Sequence, residues 1–405
     1  MVNYVFLSVY FYSVPNLRFR EFSFPWHQTS IKDLLSFQNG INGAAEQYGK
    51  GIKYISVGDI LNNDYITYDK IVGSIDISQE TLKNYSVTYG DILFQRSSEI
   101  KDDIGRTNVY LDKDNTATFG GFVIRGKKIG DYNPSFFSFL LKSPSSRKSI
   151  VRLGAGAQHY NIGQENIKTL SFYFPNEIEQ VKIANLLSKI DERIQTQSKI
   201  IELKQSLIKD IEDKLLWKSA STYSRHISDF LTELNDKSKI QNQYPLLSST
   251  KKGLFLQTDY FNKEAASSNN IGYKIVHEGD IIISPQNLWM GNITYNDKFV
   301  NGLVSPSYRI YKVKEEYNAY YISRILMSYR ALSLYKNISE QGASIVRRNL
   351  NVDAFNELCF PIPNIKKQDE VSLFLSKLHQ ELNSEIEILR QLKNQKKYLL
   401  CNMFI

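Results

Sequence analysis

The sequence predicts an α+β protein in which one structural unit occurs twice. Two globular mixed α/β domains would be joined by two long antiparallel coiled-coil helices, with a pseudo-twofold internal repeat. Three observations support this prediction. Short motifs return in the same order at a nearly constant offset, and two stretches of about 40 residues show uninterrupted helical periodicity. Each periodic stretch also follows a region of short strands and turns.

The repeat rests on six pairs of motifs, none of them strong alone. The pairs are GDIL at Gly90 with GDII at Gly279 (offset 189), YNPSFFSFLLKS at Tyr132 with YNAYYISRILMS at Tyr317 (185), GA at Gly156 with GA at Gly342 and FP at Phe174 with FP at Phe360 (both 186), and Gln180 with Gln368 and LSK at Leu187 with LSK at Leu375 (both 188). The offset drifts by at most four residues, which chance does not readily produce. The chain is therefore two copies of one unit.

Each copy begins with segments rich in Tyr, Phe, Ile and Val that are punctuated by Gly and Asn, a pattern typical of short strands and turns. The segments are KYISVGDI, YGDILFQRSS and ATFGGFVIRG in the first copy, and GDIIISPQ and VSPSYRIYKV in the second. One amphipathic helix follows, and in the first copy Asn133-Pro134-Ser135 would begin it because Pro suits a first helical turn.

Two long helices are predicted, over Glu177–Trp217 and Lys366–Leu400, with no Gly or Pro in either. The apolar positions are Ile183, Leu187, Ile190, Ile194, Ile201, Ile208, Ile211 and Leu215 in the first, and Val371, Phe374, Leu375, Leu378, Leu382, Ile386, Leu389, Leu392 and Leu399 in the second. Their spacing approaches 3.5 residues, which favours a coiled coil about 60 Å long.

These elements divide the chain into five segments. They are an atypical N-terminal extension (1–13), a first globular domain (14–175), a central long helix acting as a spacer (176–218), a second globular domain (219–360) and a C-terminal long helix (361–405).

The charge distribution indicates which segments would meet a polyanion. The formal net charge of the 405-residue chain is +8. Residues 176–218 carry eight acidic and eight basic side chains, and residues 364–405 carry five acidic and seven basic ones, so 8 − 2 = +6 lies elsewhere. The globular domains are therefore the better candidates for contact with nucleic acid.

Several classes of site are excluded by the motifs. Cys359 and Cys401 have no metal-ligand spacing, and GAAEQYGKG lacks the spacing and the Ser or Thr of a phosphate loop. The tetrapeptide NPSF at Asn133 resembles a methyltransferase motif, but no glycine-rich turn for the methyl donor accompanies it. Asp91 and Asp280 follow Gly in turns, where Asp commonly satisfies its own backbone. No active site, metal site or membrane span is expected, and a reducing cytoplasm suits the chain.

The order of these features resembles the specificity subunit of type I restriction-modification systems. The resemblance is carried by FPNEIEQVKIANLLSKID and FPIPNIKKQDEVSLFLSKLH at the starts of the long helices, by VPNLRFREFSFPWHQTSIKDLLSFQNG from Val14, and by the GDI motif ahead of each helix. It covers about Val14 to Ile405. The second helix start departs from the first, with His379 in place of Asp191, so the two copies need not dock partners equally.

The resemblance implies a non-catalytic scaffold that reads double-stranded DNA. Each globular domain would be a target-recognition domain for one half of a split sequence, and the helices would set the gap between the halves. The helices would also dock two methyltransferase subunits, and restriction motor-nuclease subunits would join them. S-adenosylmethionine, ATP and Mg²⁺ would be bound by those partner subunits and not by this chain.

Polar loops at matching positions are the candidate DNA contacts, because Arg, Lys, Asn, Gln and Ser read base edges or phosphates. In the first copy they are Lys50, Lys53, Gln95, Arg96, Ser97, Ser98, Lys101, Arg106, Gln158, His159, Tyr160 and Asn161. In the second they are Lys251, Lys252, Ser284, Gln286, Asn287, Asn292, Ser344, Arg347, Arg348 and Asn349. Each alone could equally be a solvated turn residue, and the pairing of the loops favours DNA.

The candidate partner-docking residues lie at repeated positions of the long helices. They are Gln180, Ile183, Leu187, Ile190, Gln368, Val371, Leu375 and Leu378. The alternative to a DNA-reading subunit is a non-enzymatic coiled-coil scaffold whose globular domains bind proteins. An enzyme with an unrecognised nuclease or methyltransferase site is a third hypothesis, which the missing motifs disfavour.

Overall fold

The computed structural model describes residues 14–218, 224–251, 253–260, 269–341 and 348–405. The chain forms two compact units. Unit 1 comprises the described residues up to Ser198 together with Glu387–Ile405, and unit 2 comprises Lys199–Ile386. The predicted extension 1–13 lies outside the described residues.

Unit 1 is a mixed α/β structure built on small sheets. Its strands are β1 His27–Ser30, β2 Leu35–Asn39, β3 Tyr48–Ile55, β4 Ser74–Ile75, β5 Ile92–Gln95, β6 Ser97–Ser98, β7 Thr107–Val109, β8 Thr118–Phe119, β9 Val123–Lys128, β10 Tyr160–Asn161 and β11 Ser171–Phe174. Its helices are α1 Ile31–Leu34, α2 Val57–Asn62, α3 Gln79–Asn84, α4 Pro134–Lys142, α5 Pro144–Val151, α6 Gln164–Lys168 and the first part of α7 Glu177–Asp213.

Unit 2 has a similar element order, with differences in the region before its central strands. Its strands are β12 Ser224–His226, β13 Leu231–Leu234, β14 Leu247–Thr250, β15 Gly253–Leu256, β16 Lys274–His277, β17 Ile281–Ile283, β18 Ile293–Tyr295, β19 Asn301–Val304, β20 Arg309–Val313, β21 Ser339–Gln341, β22 Arg348–Leu350 and β23 Cys359–Pro361. Its helices are α8 Ile227–Phe230, α9 Gln257–Tyr260, α10 Ala319–Leu326, α11 Tyr329–Asn337, α12 Val352–Asn356 and the first part of α13 Ile365–Asn402.

The central sheets have the same topology in the two units. The strand order is β2-β9-β5-β7 in unit 1 and β13-β20-β17-β18 in unit 2, and the neighbouring strands pair antiparallel. A two-stranded pair precedes each long helix, β1 with β11 and β12 with β23. The motif repeat therefore corresponds to a repeat of structure.

The GDI motif forms the same turn in both copies. Gly90 and Gly279 have φ of 93° and 89°, in the left-handed region that Gly adopts without steric cost. The Asp91 carboxylate accepts a hydrogen bond from the backbone amide of Thr88 at 2.9 Å. The Asp280 carboxylate accepts one from the backbone amide of His277 at 2.7 Å. Burial raises the pKa of both carboxyl groups. As the sequence predicted, these acids complete their own turns.

The repeated glutamine of the long helices is a structural clamp. Gln180 is buried and accepts the backbone amide of Asn133 at 2.9 Å, and its side-chain amide donates to the carbonyl oxygen of Pro175 at 3.0 Å. Gln368 makes the equivalent two bonds in unit 2, at 2.9 and 2.8 Å. Each clamp ties the start of a long helix to the turn that begins α4 or α10, and Asn133 also caps α4 as expected.

Each unit contains an antiparallel pair of segments from the long helices. In unit 1, Asp191 of α7 bonds Lys396 of α13 at 2.5 Å. In unit 2, Lys204 bonds Glu385 at 2.8 Å. The predicted helices are thus observed nearly to the residue. Each long helix contributes to both compact units, and the division of the chain into globular domains and spacer helices stays a prediction.

The core of unit 1 joins residues from both ends of the chain. Phe404 packs with its ring centre 5.6 Å from Phe136 and 6.4 Å from Trp26. Leu399 and Met403 belong to the same buried cluster. Unit 1 is therefore incomplete without the C-terminal end of α13.

Candidate nucleic-acid interface

In unit 1 the loop that follows GDI and the segment that precedes FP come together. Strand β6 pairs antiparallel with β10, so that Ser97 lies opposite Asn161 and Ser98 opposite Tyr160. The Ser97 hydroxyl donates to the Asn161 side-chain oxygen, and the Ile162 amide donates to the Arg96 carbonyl oxygen at 3.0 Å. Two loops that are more than 60 residues apart in sequence thus form one surface.

Unit 2 brings its two loops together by an equivalent bond. The Arg348 amide donates to the carbonyl oxygen of Gln286 at 3.2 Å. The Arg348 guanidinium lies over the Trp289 ring, 4.6 Å from its centre, so Trp289 packs against the loop. Asn349 follows on β22. We call these paired surfaces the reading loops: residues 95–98, 106 and 158–161 in unit 1, and 284–292, 348 and 349 in unit 2.

Two of the predicted DNA contacts, Gln95 and Ser284, are buried. Gln95 is 5% exposed and donates to the Ser97 carbonyl oxygen at 2.9 Å, and its side-chain oxygen has no partner in the part of the chain that the structure describes. Ser284 is 8% exposed, and its amide donates to the Asn292 carbonyl oxygen at 3.0 Å. Both residues are therefore largely buried, and DNA contact by their side chains stays a prediction.

The remaining predicted contact residues of the reading loops are exposed or half-buried. The exposed ones are Arg96, Arg106, Gln158, His159, Asn161, Gln286 and Asn349, and the half-buried ones are Ser97, Ser98, Tyr160, Asn287, Asn292 and Arg348. Asn292 is partly committed, because its side-chain oxygen accepts the hydroxyl of Ser249 at 3.0 Å. Lys252, Ser344 and Arg347 lie outside the described residues.

The predicted phosphate-contacting lysines are dispersed. Lys101 and Lys251 are exposed. Lys50 and Lys53 lie on β3, whose neighbours are β4 and β8 and not the reading loops. Lys50 bonds Asp76 at 3.2 Å. The Lys53 amine donates to the Ile71 carbonyl oxygen at 2.7 Å, so it holds a backbone group instead of facing a phosphate.

Arg147, which sequence reasoning missed, supports the first reading loop. Its guanidinium donates to the carbonyl oxygens of Asp102 (3.0 Å), Ile104 (2.7 Å) and Gly105 (2.7 Å). Burial, and then the charge of Arg106, lower the pKa of Arg147 to about 10. No signal marked it, because its counterpart at the offset of 185 is Leu332, which packs at the core of unit 2.

An exposed aromatic side chain adjoins the same loop. Phe122 is 67% exposed, and its carbonyl oxygen accepts the Arg96 amide at 2.9 Å. The Arg96 guanidinium donates to the Gly121 carbonyl oxygen at 3.3 Å. The GGF turn therefore sets the direction of Arg96, a role for which the sequence carried only a generic turn signal.

The eight predicted partner-docking side chains belong to the chain's own core. Ile183, Leu187, Ile190, Val371 and Leu375 are buried in the hydrophobic clusters of their units, and Leu378 packs against one of them. Gln180 and Gln368 are the clamps described above. Apolar periodicity therefore marks the faces of these helices that pack inward, and a docking role for the eight positions stays a prediction.

Other apolar residues of the long helices face solvent. In unit 2, Leu203 and Leu207 of α7 are 71% and 58% exposed, one turn apart on the same side of the helix. Phe374 and Ile386, which the periodicity placed in the seam, are also exposed. These positions are the candidate docking surface.

The described ranges show neither a membrane span nor a metal site. No helix there combines the length and the apolar character that crossing a bilayer requires. No three His, Cys, Asp or Glu side chains in the same ranges are grouped so that they could hold a metal ion.

Comparison with protein families supports the resemblance. Residues 25–205 match the family model of the type I restriction modification DNA specificity domain. A protein of Methanocaldococcus jannaschii named as the type I restriction enzyme MjaX specificity subunit is 29% identical over 199 residues, which are 48% of this chain and 46% of that relative. The match therefore spans about half the length of the curated relative.

Comparison with solved structures shows the fold. The S subunit of a type I restriction-modification system from M. genitalium has a TM-score of 0.58 at 17% identity, over 97% of this chain and 99% of that one. A chain from a study of complex assembly and conformational transition of the type I system has a TM-score of 0.58 at 9% identity, over 94% and 98%. The predicted fold class and the resemblance to the specificity subunit family are confirmed.

Proposed function

Because the chain resembles type I specificity subunits in family model, relative and fold, we propose that it confers sequence specificity on a DNA-modifying complex. Each unit reads one half of a bipartite target. The observation that supports this is the convergence, within each unit, of two polar loops whose side chains differ between the units. Arg96 and Asn161 are exposed in unit 1, and Gln286 and Asn349 in unit 2.

These side chains suit base reading in the major groove. Arg pairs with guanine, and Asn or Gln with adenine, through two hydrogen bonds each. Since the two units present different sets, they would read different bases. Phosphates would be bound by exposed lysines such as Lys101 and Lys251, which carry no sequence information.

The chain would have no chemistry of its own. Two methyltransferase subunits would dock on the exposed faces of α7 and α13, and restriction motor-nuclease subunits would join the complex. Those subunits would bind S-adenosylmethionine, ATP and Mg²⁺. The assembly would act on DNA in the cytoplasm, and the long helices would set the gap between the half-sites.

The decisive experiment is to map the methylated sequence. The chain would be co-expressed with the methyltransferase encoded beside it, and methylation would be read genome-wide for the parent, for Arg96→Ala and for Gln286→Ala. We expect a split target in the parent. Each variant should relax one half only, with a loss of discrimination of about 1–3 kcal/mol per lost base contact.

Lys83→Ala serves as the control, because Lys83 is exposed on α3, outside both reading loops and both long helices. It should leave the methylated sequence unchanged. The proposal fails if no split target is methylated. It also fails if both variants relax the same half, since the two units would then not divide the target. A complex that assembles and binds no duplex would instead support the protein scaffold.

A further inference from the structure

A group of basic side chains in unit 1 extends from the reading loop to the C-terminal helix. Two adjacent depressions share Asp64, Lys142 and Lys396. The first is also lined by Arg106 and Arg147, and the second by Lys393 and Lys397. We call the six basic residues that line these depressions the basic cleft: Arg106, Lys142, Arg147, Lys393, Lys396 and Lys397.

Positive charge exceeds negative charge along the basic cleft. Its six cations face three lining carboxylates, those of Asp64, Asp102 and Asp191. Lys396 is paired with Asp191 at 2.5 Å. Arg106 is paired with Asp103 at 2.6 Å, although the Arg106 side chain stays 54% exposed. The surplus positive charge of the basic cleft therefore lies on the lysine amines other than that of Lys396, and on the Arg147 guanidinium.

The lysine amines of the basic cleft differ in their hydrogen-bond and ion-pair partners. Lys142 donates to the Asp64 carbonyl oxygen at 2.6 Å, a neutral partner, and burial and Lys396 lower its pKa to about 8. Lys393 and Lys397 are exposed, four residues apart on one side of α13, and neither has an ion pair with any described residue. Like charges gathered at one place repel, so an anion bound here would relieve an existing cost.

The cleft is continuous with the surface proposed to read DNA. The Gln95 amide donates to the Arg106 carbonyl oxygen at 2.8 Å, and Arg147 bonds the backbone of residues 102, 104 and 105. A duplex that reached Arg96 and Arg106 would carry its backbone onward past this cleft. A phosphate backbone is the anion with the matching length and charge.

We propose that the basic cleft, with Lys393 and Lys397 of the C-terminal helix, binds the phosphate backbone of the duplex beside the half-site that unit 1 reads. The inference rests on the proposed function. It assigns DNA contact to a helix that the family resemblance reserves for docking other subunits.

Unit 2 supplies an internal contrast. The corresponding end of α7 and start of α11 line a depression with Lys209, Lys214, Lys218 and Arg330, against three carboxylates at Asp210, Glu212 and Asp213. Arg330 forms a two-bond pair with Asp213, at 2.5 and 2.9 Å, and Lys209 lies over the Tyr329 ring. The charge of this depression is nearly balanced, so the surplus of positive charge at a depression beside the long helices is a feature of unit 1.

The test compares the salt dependence of DNA binding. The complex of the full chain with its methyltransferase would be titrated onto duplex carrying the methylated site over a series of salt concentrations. The double variant Lys393→Gln, Lys397→Gln should bind on the order of tenfold more weakly at low salt. Its slope of log K against log[salt] should be shallower by about 0.9 for each lost contact. The methylated sequence should be unchanged.

The matched control is Lys209→Gln with Lys214→Gln, two exposed lysines of the balanced depression, and it should keep the parent slope. An unchanged slope in the test variant overturns the inference, as does a loss of methyltransferase co-purification, which would make the cleft a protein-docking surface. If the parent complex binds and methylates no split site, the proposed function itself has failed.

Discussion

At the residue scale, Lys142 shows that the free-energy cost of burying a side chain at one position can differ between the two copies. It lies at the end of α4, and its counterpart at the offset of 185 is Met327. Lys142 places an amine against a carbonyl oxygen inside unit 1, whereas Met327 packs against the core of unit 2. Removing an amine from water is unfavourable, while burying a thioether is not.

Lys142→Met should therefore stabilise the protein at neutral pH. The folded-state pKa of Lys142 is near 8, below the ordinary 10.5, so the unfolded chain binds the proton more tightly. Below about pH 8 the penalty is complete, and it disappears as the pH rises toward 10.5. We expect the variant to gain about 1–3 kcal/mol at pH 7 and much less at pH 10, in urea unfolding.

Lys148→Met provides the comparison, because Lys148 is exposed on the next helix. It should change stability little at either pH. Equal effects of the two variants at pH 7 would show that the Lys142 amine carries no burial cost.

Gln95 and Arg96 are neighbours in sequence, yet the first is buried and the second is exposed. Successive strand residues point to opposite sides, so a shift of one residue exchanges inward and outward side chains. Composition marked the whole segment FQRSS as polar and available. Only the end of β5 at Gln95, with the bond from its side chain to Ser97, shows that Arg96 is the exposed member.

At the scale of elements, the long helices were the most predictable part of the chain. Helical periodicity located α7 and α13, because apolar residues at 3.5-residue spacing leave few alternatives. Periodicity identified the faces of these helices that pack inward, and the docking face stays a prediction. The apolar residues that recur at helical spacing are those that pack against a neighbouring element. In this chain that element belongs to the chain itself, as the burial of Leu187 and Leu375 in the cores of their units shows.

The docking surface is tested by Leu203→Glu with Leu207→Glu. Both side chains are exposed, so the fold should survive, while two charges in an apolar interface should abolish co-purification of the methyltransferase. Gln205→Glu with Ser206→Glu adds the same charge to exposed polar positions of α7 and should retain the partner. Equal retention by both double variants would place docking elsewhere.

At the scale of the whole molecule, the C-terminus completes a domain that the N-terminal half begins. The Leu17 amide donates to the Asn402 carbonyl oxygen at 2.8 Å, and Phe404 fills the core beside Trp26. The cooperative stability of unit 1 therefore depends on residues about 380 positions apart in sequence.

Phe404→Ala should destabilise unit 1 by about 3–4 kcal/mol, since it empties a site that is 95% buried. Tyr398→Ala removes an aromatic ring of similar size that is 60% exposed, and it should cost well under half as much. Urea unfolding of the full chain measures both. Similar losses for the two variants would mean that the terminal residues do not form part of the core.

By itself the sequence determined the duplication, the long helices, the GDI turns and the resemblance to type I specificity subunits. These features depend on local periodicity and on residues that a particular backbone conformation requires. Gly90 and Gly279, which have positive φ, are examples. Only the tertiary structure decided that the C-terminal end of α13 belongs to unit 1, that the loops after GDI and before FP meet, and that Arg147 supports one of them. Contacts between residues distant in sequence leave no local pattern. Each such side chain is suited to the residue that it meets in space, and this requirement produces no regular spacing along the sequence.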